Sequence, residues 1–483
     1  MNPYPDWINS GDNAWQLVAA TLVGLMSIPG IAVLYGALVQ KKWAVNTMLM
    51  AFTGFSLVLV VWVLWGFKMG FGQPLKLGPG ILQSAVGKPR SILGADNQHQ
   101  ASIPLLDSGM PKFRFSETTL AYFQFVFAAI TPLLFLGSVV GRMNFKVWLI
   151  FVPLWSTCAY SVNAFLMWGG GFWAQPHAGA VKAWTTGALD FSGGYVIHLA
   201  AGTSGFVAAA VIGPRLARDR QRAVPNNLPM AAVGAGILWL GWNGFNGGDP
   251  YFAGTNASLA VLNTNLTTAV ALLTWVIWDI FASRDRKPTF LGAINGMIAG
   301  LVAITPAAGF VTSFGAMVIG VVASSVVWMS WNWLGRTRPF KKVDDTLGVV
   351  HTHGVAGLTG GLLVGVLADP HIVFYLGNGK DVADVTAAGW LWGHHPQQIL
   401  IQLGAALTII AWDAFITFAI LRILGLFMKL RADDETLELG DIGVHQEEAY
   451  PDETIVTGRL DETVIAGTPT RHGAAKHAEP AES

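Results

Sequence analysis

LDFSGGYVIHLAAGTSGFVAAAVIG (residues 189–213) and DDTLGVVHTHGVAGLTGGLLVGVL (residues 344–367) share one frame. Asp190, Gly202 and Gly205 stand at −8, +4 and +7 from His198, and Asp345, Gly357 and Gly360 stand at the same offsets from His353. Each stretch contains an apolar run of the length that crosses a hydrocarbon core, about 20 residues. Glycines at +4 and +7 lie on the helical face of the histidine and let a neighbouring helix come close. An ionisable side chain in such a run is costly and is a functional candidate by default. The paired frame therefore predicts two equivalent membrane helices whose imidazoles meet.

Nine further runs accompany these two. The eleven expected spans are roughly 14–39, 45–70, 117–140, 147–168, 191–213, 228–247, 259–282, 290–308, 311–334, 348–367 and 397–427. The break at Pro306–Gly309 is the least defined boundary. The two framed helices are the fifth and tenth, five positions apart, so they cross in opposite directions. That is the mark of an inverted repeat, whose sites form near midplane between the halves. The expected fold is an all-α integral membrane protein of eleven transmembrane helices, a five-plus-five inverted repeat with a central pore in each subunit.

Alternate short connectors carry the basic residues: Lys41 and Lys42; Arg142 and Lys146; Arg215, Arg218, Arg220 and Arg222; Arg284, Arg286 and Lys287; Arg336, Arg338, Lys341 and Lys342; Lys429 and Arg431. The positive-inside rule places these in the cytoplasm, with the N-terminus outside and the C-terminus inside, which demands an odd helix count. Met1–Asn13 holds no Lys or Arg, unlike the opening of a signal peptide. The expected division is an external segment 1–13, a membrane domain 14–429 and a cytoplasmic tail 430–483, disordered after 450.

Composition agrees. The chain of 483 residues is 53% hydrophobic and only 12% charged, half the charge usual for a soluble domain. Lys+Arg and Asp+Glu are both 29, a balance that points to no nucleic-acid partner. The single cysteine, Cys158, excludes a disulfide framework, a zinc ribbon and a c-type haem motif. Neither a metal, a cofactor nor an enzymatic activity is expected.

Beside the histidines stand two carboxylates and several aromatics. Asp190 and Asp345 begin their helices, where capping and the helix dipole account for a carboxylate; Asp190 could also keep an outer vestibule rigid. His351 lies two residues before His353 and should face away from it. Phe123, Phe127, Trp168 and Phe245 could bind a cation on their faces, although any one of them alone is more often packing or interfacial belt.

Further strings resemble the ammonium transporter (Amt/Rh) family, in its Amt branch. They are Asp12-Asn13-Ala14-Trp15-Gln16-Leu17, Met26-Ser27-Ile28-Pro29-Gly30 with Tyr35-Gly36, Phe123-Gln124 with Phe127-Ala128-Ala129-Ile130-Thr131, and Met167-Trp168-Gly169-Gly170-Gly171. Leu189-Asp190-Phe191-Ser192-Gly193-Gly194 leading to His198, Asn226-Asn227-Leu228-Pro229-Met230, and Asp344-Asp345 leading to His353-Gly354-Val355 complete the set. The likeness covers roughly residues 10–430, and more loosely 431–450. It implies a homotrimeric channel of the cell membrane, surrounded by lipid, that moves ammonium or ammonia, with methylammonium as analogue. Trp168 and Phe127 would form the outer vestibule, Phe127 with Phe245 the gate, and His198 with His353 the pore pair. Asp190 would be the structural carboxylate beneath the vestibule, Phe123 would line the entrance and Trp242 the inner pore. The acidic stretch after Arg431 resembles a segment that docks at the pore mouths and meets a PII-type regulatory protein.

Three features depart from the family pattern. Asp249 stands where much of the family has a serine facing the recruited cation; it either strengthens recruitment or faces solvent. Gln446 stands where a glycine is usual, and the external loop from Gln73 to Glu117 is long. Two other readings compete: a bis-histidine haem protein, and an ammonium sensor signalling through its cytoplasmic tail.

Overall fold

The computed structural model describes residues 5–78, 80–105, 112–174, 187–221, 224–376 and 383–451. Its main helices, in chain order, are α1 (Ser10–Leu38), α2 (Lys41–Phe71), α3 (Glu117–Val139), α4 (Phe145–Met167), α5 (Gly194–Ile212), α6 (Leu228–Gly248) and α7 (Thr255–Ala282), followed by α8 (Phe290–Ile304), α9 (Ser313–Arg336), α10 (Val350–Leu367) and α11 (Gln397–Leu424). Ten of them are long and apolar enough to cross a membrane; α8 is apolar but has 15 residues. At 1.5 Å per residue α8 rises about 22 Å, short of the ~30 Å hydrocarbon core. The expected count of eleven thus rests on α8. The Pro306–Gly309 break is a run of turns between α8 and α9.

Local chemistry sets the helix starts. Asn9, Ser116, Asn144, Asn227, Thr289 and Thr312 each accept a backbone N–H of the first turn that follows. Such caps satisfy donors that have no partner within the helix. Between α10 and α11 the chain forms an antiparallel ribbon, β1 (Val373–Leu376) and β2 (Ala383–Thr386), with Val373 opposite Thr386. It is the only sheet among the described residues and adds a small β element to the all-α expectation.

Helix α3 is the axis of the molecule, buried at every residue from Phe123 to Val139. Its sequence is apolar all round, as a helix enclosed by others must be. By contrast α7 and α11 expose Leu262, Leu273 and Ile277, and Leu400, Leu407 and Phe415. Those faces suit lipid or another subunit.

The repeat is visible in the packing. Both histidine helices open with a π-helical turn, Gly194–Leu199 and Val350–Val355, which carries the histidine. Gly202 of α5 lies directly on Gly354 of α10, and Gly357 of α10 lies on the Gly194 carbonyl and His198 of α5. The second glycine of each frame faces a central helix: Gly205 meets Ser138 of α3, and Gly360 meets the Ala303 backbone of α8. A methyl group at any of these positions would overlap its neighbour, so glycine sets the closeness of the histidine helices.

At the basic end a buried guanidinium ties three helices. Arg142 donates to the Gly213 carbonyl (2.6 Å), Thr346 Oγ1 (2.9 Å) and the Asp344 carbonyl. Arg215 grips the Asp344 carboxylate through two further bonds, 3.0 and 2.7 Å. The ends of α3 and α5 are thereby locked to the start of α10. The chain after α11 returns to this face as α12 (Asp434–Leu439) and α13 (Asp441–His445).

Candidate functional site

Because the frame glycines let α5 and α10 touch, the two imidazoles are buried against each other. His198 is fully buried and His353 is 3% exposed. Their Nδ1 atoms are 3.3 Å apart and their ring centroids 5.4 Å, with the planes 26° from parallel. An Nδ1–Nδ1 hydrogen bond needs one ring to donate and the other to accept, so the rings are opposite tautomers and at least one is neutral. With both rings neutral, one Nε2 is a bare acceptor and the other an N–H donor. His198 Nε2 has no protein partner. The rings meet directly, so a haem between them has no room, and this pair does not fit the bis-histidine haem arrangement. His351 points elsewhere, its Nδ1 at 2.8 Å from Ser330 Oγ on α9.

Aromatic rings continue the file from His198. Trp242 stacks on it at 5.2 Å and 17°, and its indole N–H donates to Thr305 Oγ1 at 2.9 Å. Phe245, one turn along α6, lies 5.8 Å from His198 and 4.4 Å from Phe127 of α3. Phe127 in turn touches Phe123 at 4.9 Å and Trp168 at 6.4 Å, edge to face. Thus Phe123, Phe127, Trp168, Trp242, Phe245, His198 and His353 form one continuous set, and Trp242 sits at the level of His198. Composition could not have joined them, since they come from five separate segments.

Asp190 holds the end of this file near Trp168 in place. Its carboxylate accepts N–H groups from Gly193 (3.1 Å), Tyr195 (3.0 Å) and Val196 (3.1 Å), capping the π-turn that bears His198. Its carbonyl accepts the Trp168 indole N–H at 2.8 Å, which fixes that ring over Phe127. Its repeat counterpart Asp345 caps Val350 N–H at 2.8 Å.

Asp249, at the C-terminal end of α6, does not face solvent: it is 8% exposed. That removes the solvent-facing alternative. Trp15 and Gln16 of α1 hold the Gly247 and Gly248 carbonyls at 2.9 and 2.7 Å, and Asp12 accepts the Ala253 N–H at 2.8 Å. Asp12 is itself paired with Arg114 at 2.8 Å. The Asp-Asn-Ala-Trp-Gln string near the N-terminus thus clamps the loop that carries Asp249. The long loop between α2 and α3 contributes Phe113, whose ring lies 4.8 Å from Tyr251. Tyr251 accepts the Gln124 amide at 2.8 Å and lies 6.0 Å from Phe123. Tyr160, Ser192, Gln124 and Tyr251 were not candidates from sequence, because nothing in their spacing marks them as neighbours.

The tail packs on the opposite end. Asp441 accepts the Val45 and Asn46 N–H groups at the start of α2, both at 2.8 Å, and His445 Nε2 lies 2.9 Å from Asn46 Oδ1. Lys42 reaches the Leu437 carbonyl at 2.8 Å, and Arg218 pairs with Glu438. Gln446, at the position where glycine is usual, adopts φ +57°. A side chain there costs roughly 1–2 kcal/mol relative to a residue free of Cβ. The expectation of disorder after 450 concerns residues 452–483, which lie outside the described residues.

Comparison with known proteins gives a consistent neighbourhood. A family model described as the Ammonium Transporter Family matches residues 14–450. "Ammonium transporter 2 member 1" of Oryza sativa subsp. japonica is 49% identical over 453 residues, covering 92% of this chain and 88% of the relative. "Ammonium transporter 2" of Arabidopsis thaliana is 45% identical over 453 residues, covering 92% and 89%. Among solved structures, Saccharomyces cerevisiae Mep2 superposes with a TM-score of 0.73 at 29% identity, covering 89% of each chain.

Proposed function

The chain belongs to the ammonium transporter family, and from that premise we propose that it carries ammonium nitrogen across the cell membrane as ammonia, past His198 and His353. The observation that carries the reading is the unbroken file of rings from Phe123 and Trp168 through Phe127, Phe245 and Trp242 to the histidine pair. The relatives are named as ammonium transporters, and the file supplies a physical route suited to that cargo.

Ammonium gathers where aromatic faces offer cation–π attraction, about 0.5–2 kcal/mol each. It does not continue as an ion, because moving a bare charge into an apolar file costs several kcal/mol even after relaxation. Ammonia is neutral and small, and it carries both N–H donors and a lone pair. The opposed tautomers of the histidine pair offer one acceptor and one donor at their Nε2 atoms, so ammonia has partners throughout its passage. Larger or permanently charged solutes find neither the width nor the charge compensation.

The subunit assembles as a homotrimer, with the N-terminus outside and the tail in the cytoplasm, where a PII-type regulatory protein would meet the docked segment. A sensing role through that tail is the second reading, motivated by the bonds from Asp441 and His445 to α2. Uptake of labelled methylammonium into vesicles holding the purified protein tests the proposal. Saturable uptake above empty vesicles is expected. Binding without uptake would leave only the sensor.

A further inference from the structure

Most buried carboxylates here have partners that explain them. Both oxygens of Asp190 take backbone N–H groups, and Asp413 takes the Asn163 amide on both of its own. Asp12 faces the Arg114 guanidinium, and Asp279 accepts the Trp328 indole N–H at 2.8 Å. Asp249 differs. It is more than nine-tenths buried, its Oδ2 has no hydrogen-bond partner, and no Lys or Arg pairs with it among the described residues. A buried anion left so is expensive, by several kcal/mol.

Its surroundings are unsatisfied in the same sense. Ser192 lies against Asp249, and Tyr160 lies within electrostatic reach of Asp249, Tyr251 and Asp190. Gln124 bonds Tyr251, which also feels the Asp249 charge. Tyr160 Oη and Gln124 Oε1 are buried without a partner, as is Ser192 Oγ apart from its contact with Asp249. Buried polar atoms are ordinarily satisfied, so such a group calls for a polar occupant. With Asp249 Oδ2 these are buried oxygens left open in one neighbourhood, and ammonium has four N–H bonds to donate.

Resting on the transport reading above, we propose that Asp249 is the base that takes the proton from recruited ammonium, with Tyr160, Ser192 and Gln124 as positioning residues. One N–H bond of the cation breaks, its electron pair stays on nitrogen, and an O–H bond forms on the Asp249 carboxylate. Ammonia moves on past Phe127 and Phe245. The now neutral carboxyl loses its proton to external water and is ready for the next cation. The step turns an ion pair into two neutral molecules at the mouth of the apolar file, where charge becomes most costly. The transfer needs no other reactant.

The experiment compares Asp249→Asn, Asp249→Glu and Tyr160→Phe with the parent in proteoliposomes, using two probes. Methylammonium uptake near neutral pH supplies the cation; stopped-flow alkalinisation in strongly alkaline buffer supplies ammonia already neutral. Asp249→Asn keeps shape but is not a base at these pH values. It should lower the maximal rate of cation uptake tenfold or more while changing ammonia conductance by no more than about twofold. Asp249→Glu should restore part of the uptake, and Tyr160→Phe should raise KM more than it lowers the maximal rate. Equal loss with both probes, a change in KM alone for Asp249→Asn, or parent-like uptake would each overturn the proposal. A parent inactive with both probes would refute the transport reading itself and this inference with it.

Discussion

His198 and His353 carry little that could be called structural beyond their mutual bond. His198 Nε2 has no protein partner, although the ring is wholly buried. Leucine at either position keeps the volume and removes the hydrogen-bonding station, a loss worth about 1–3 kcal/mol for a buried group. His198→Leu and His353→Leu should therefore each lower ammonia conduction by roughly tenfold to a hundredfold. His351→Leu, which loses only the bond to Ser330, should conduct like the parent. Stopped-flow measurement of vesicle pH decides it, and three parent-like variants would make the pair structural. Trp168→Leu is a separate case. It removes one cation–π face worth about 0.5–2 kcal/mol, so KM for methylammonium should rise about two- to thirtyfold. An unchanged KM would remove Trp168 from recruitment.

At the scale of elements, the contact between α5 and α10 decides whether the histidines meet at all. Gly202 lies against the Gly354 backbone, which has no side chain to move aside. Gly202→Ala should force the helices apart and cost about 1–3 kcal/mol, as overpacking generally does. Gly24→Ala is the control, since an added Cβ there meets only Val126, at 4.0 Å. Thermal unfolding in detergent should separate them, with a clear loss of Tm for the first and little change for the second. Equal Tm values would mean that the frame glycines do not set the approach. The π-turns at Gly194–Leu199 and Val350–Val355 were not legible in the sequence, because an apolar run shows the same residues whether its turns hold 13-atom or wider rings.

The whole molecule is polarised, with aromatics and Asp249 at one end and basic connectors and the tail at the other. A reporter fused after Ser483 should be cytoplasmic and one inserted within 90–110 external; both on one side would refute the odd number of crossings. Tail docking should also respond to pH. Burial holds His445 below the usual imidazole range, with Glu447 pulling the other way. Its folded form thus favours the neutral ring, so its contribution is present above the ordinary imidazole pKa and is lost as pH falls through that range. Asp441 has the opposite sign. Burial lifts it to about 6, against the Val45 and Asn46 N–H groups and with help from Glu447 and Glu448, so its contribution grows as pH falls from about 6 towards 4. His445→Asn removes only the first effect. Hydrogen exchange at the Val45 and Asn46 amides, compared at equal pH, should show the variant losing less protection on acidification than the parent. Identical acid responses would exclude His445.

The sequence by itself determined the membrane class, the positions of the spans to within a few residues, and the pairing of His198 with His353. Each of these follows from a one-dimensional signal: apolar length, the side on which Lys and Arg fall, and a frame repeated at fixed offsets. It also marked Asp249 and Gln446 as departures from the family pattern. Tertiary structure decided what those departures mean, since the burial of Asp249 and the left-handed backbone of Gln446 depend on neighbours far along the chain. It alone brought Tyr160, Ser192, Gln124 and Tyr251 towards Asp249, and Arg142 onto Asp344 and Gly213. The physical reason is that these groups interact across helices, where direction and distance are set by how α3, α4, α5 and α6 pack. A polar residue in an apolar run reads the same whether its partner is a backbone N–H, another side chain or the cargo; only the packed helices distinguish the three.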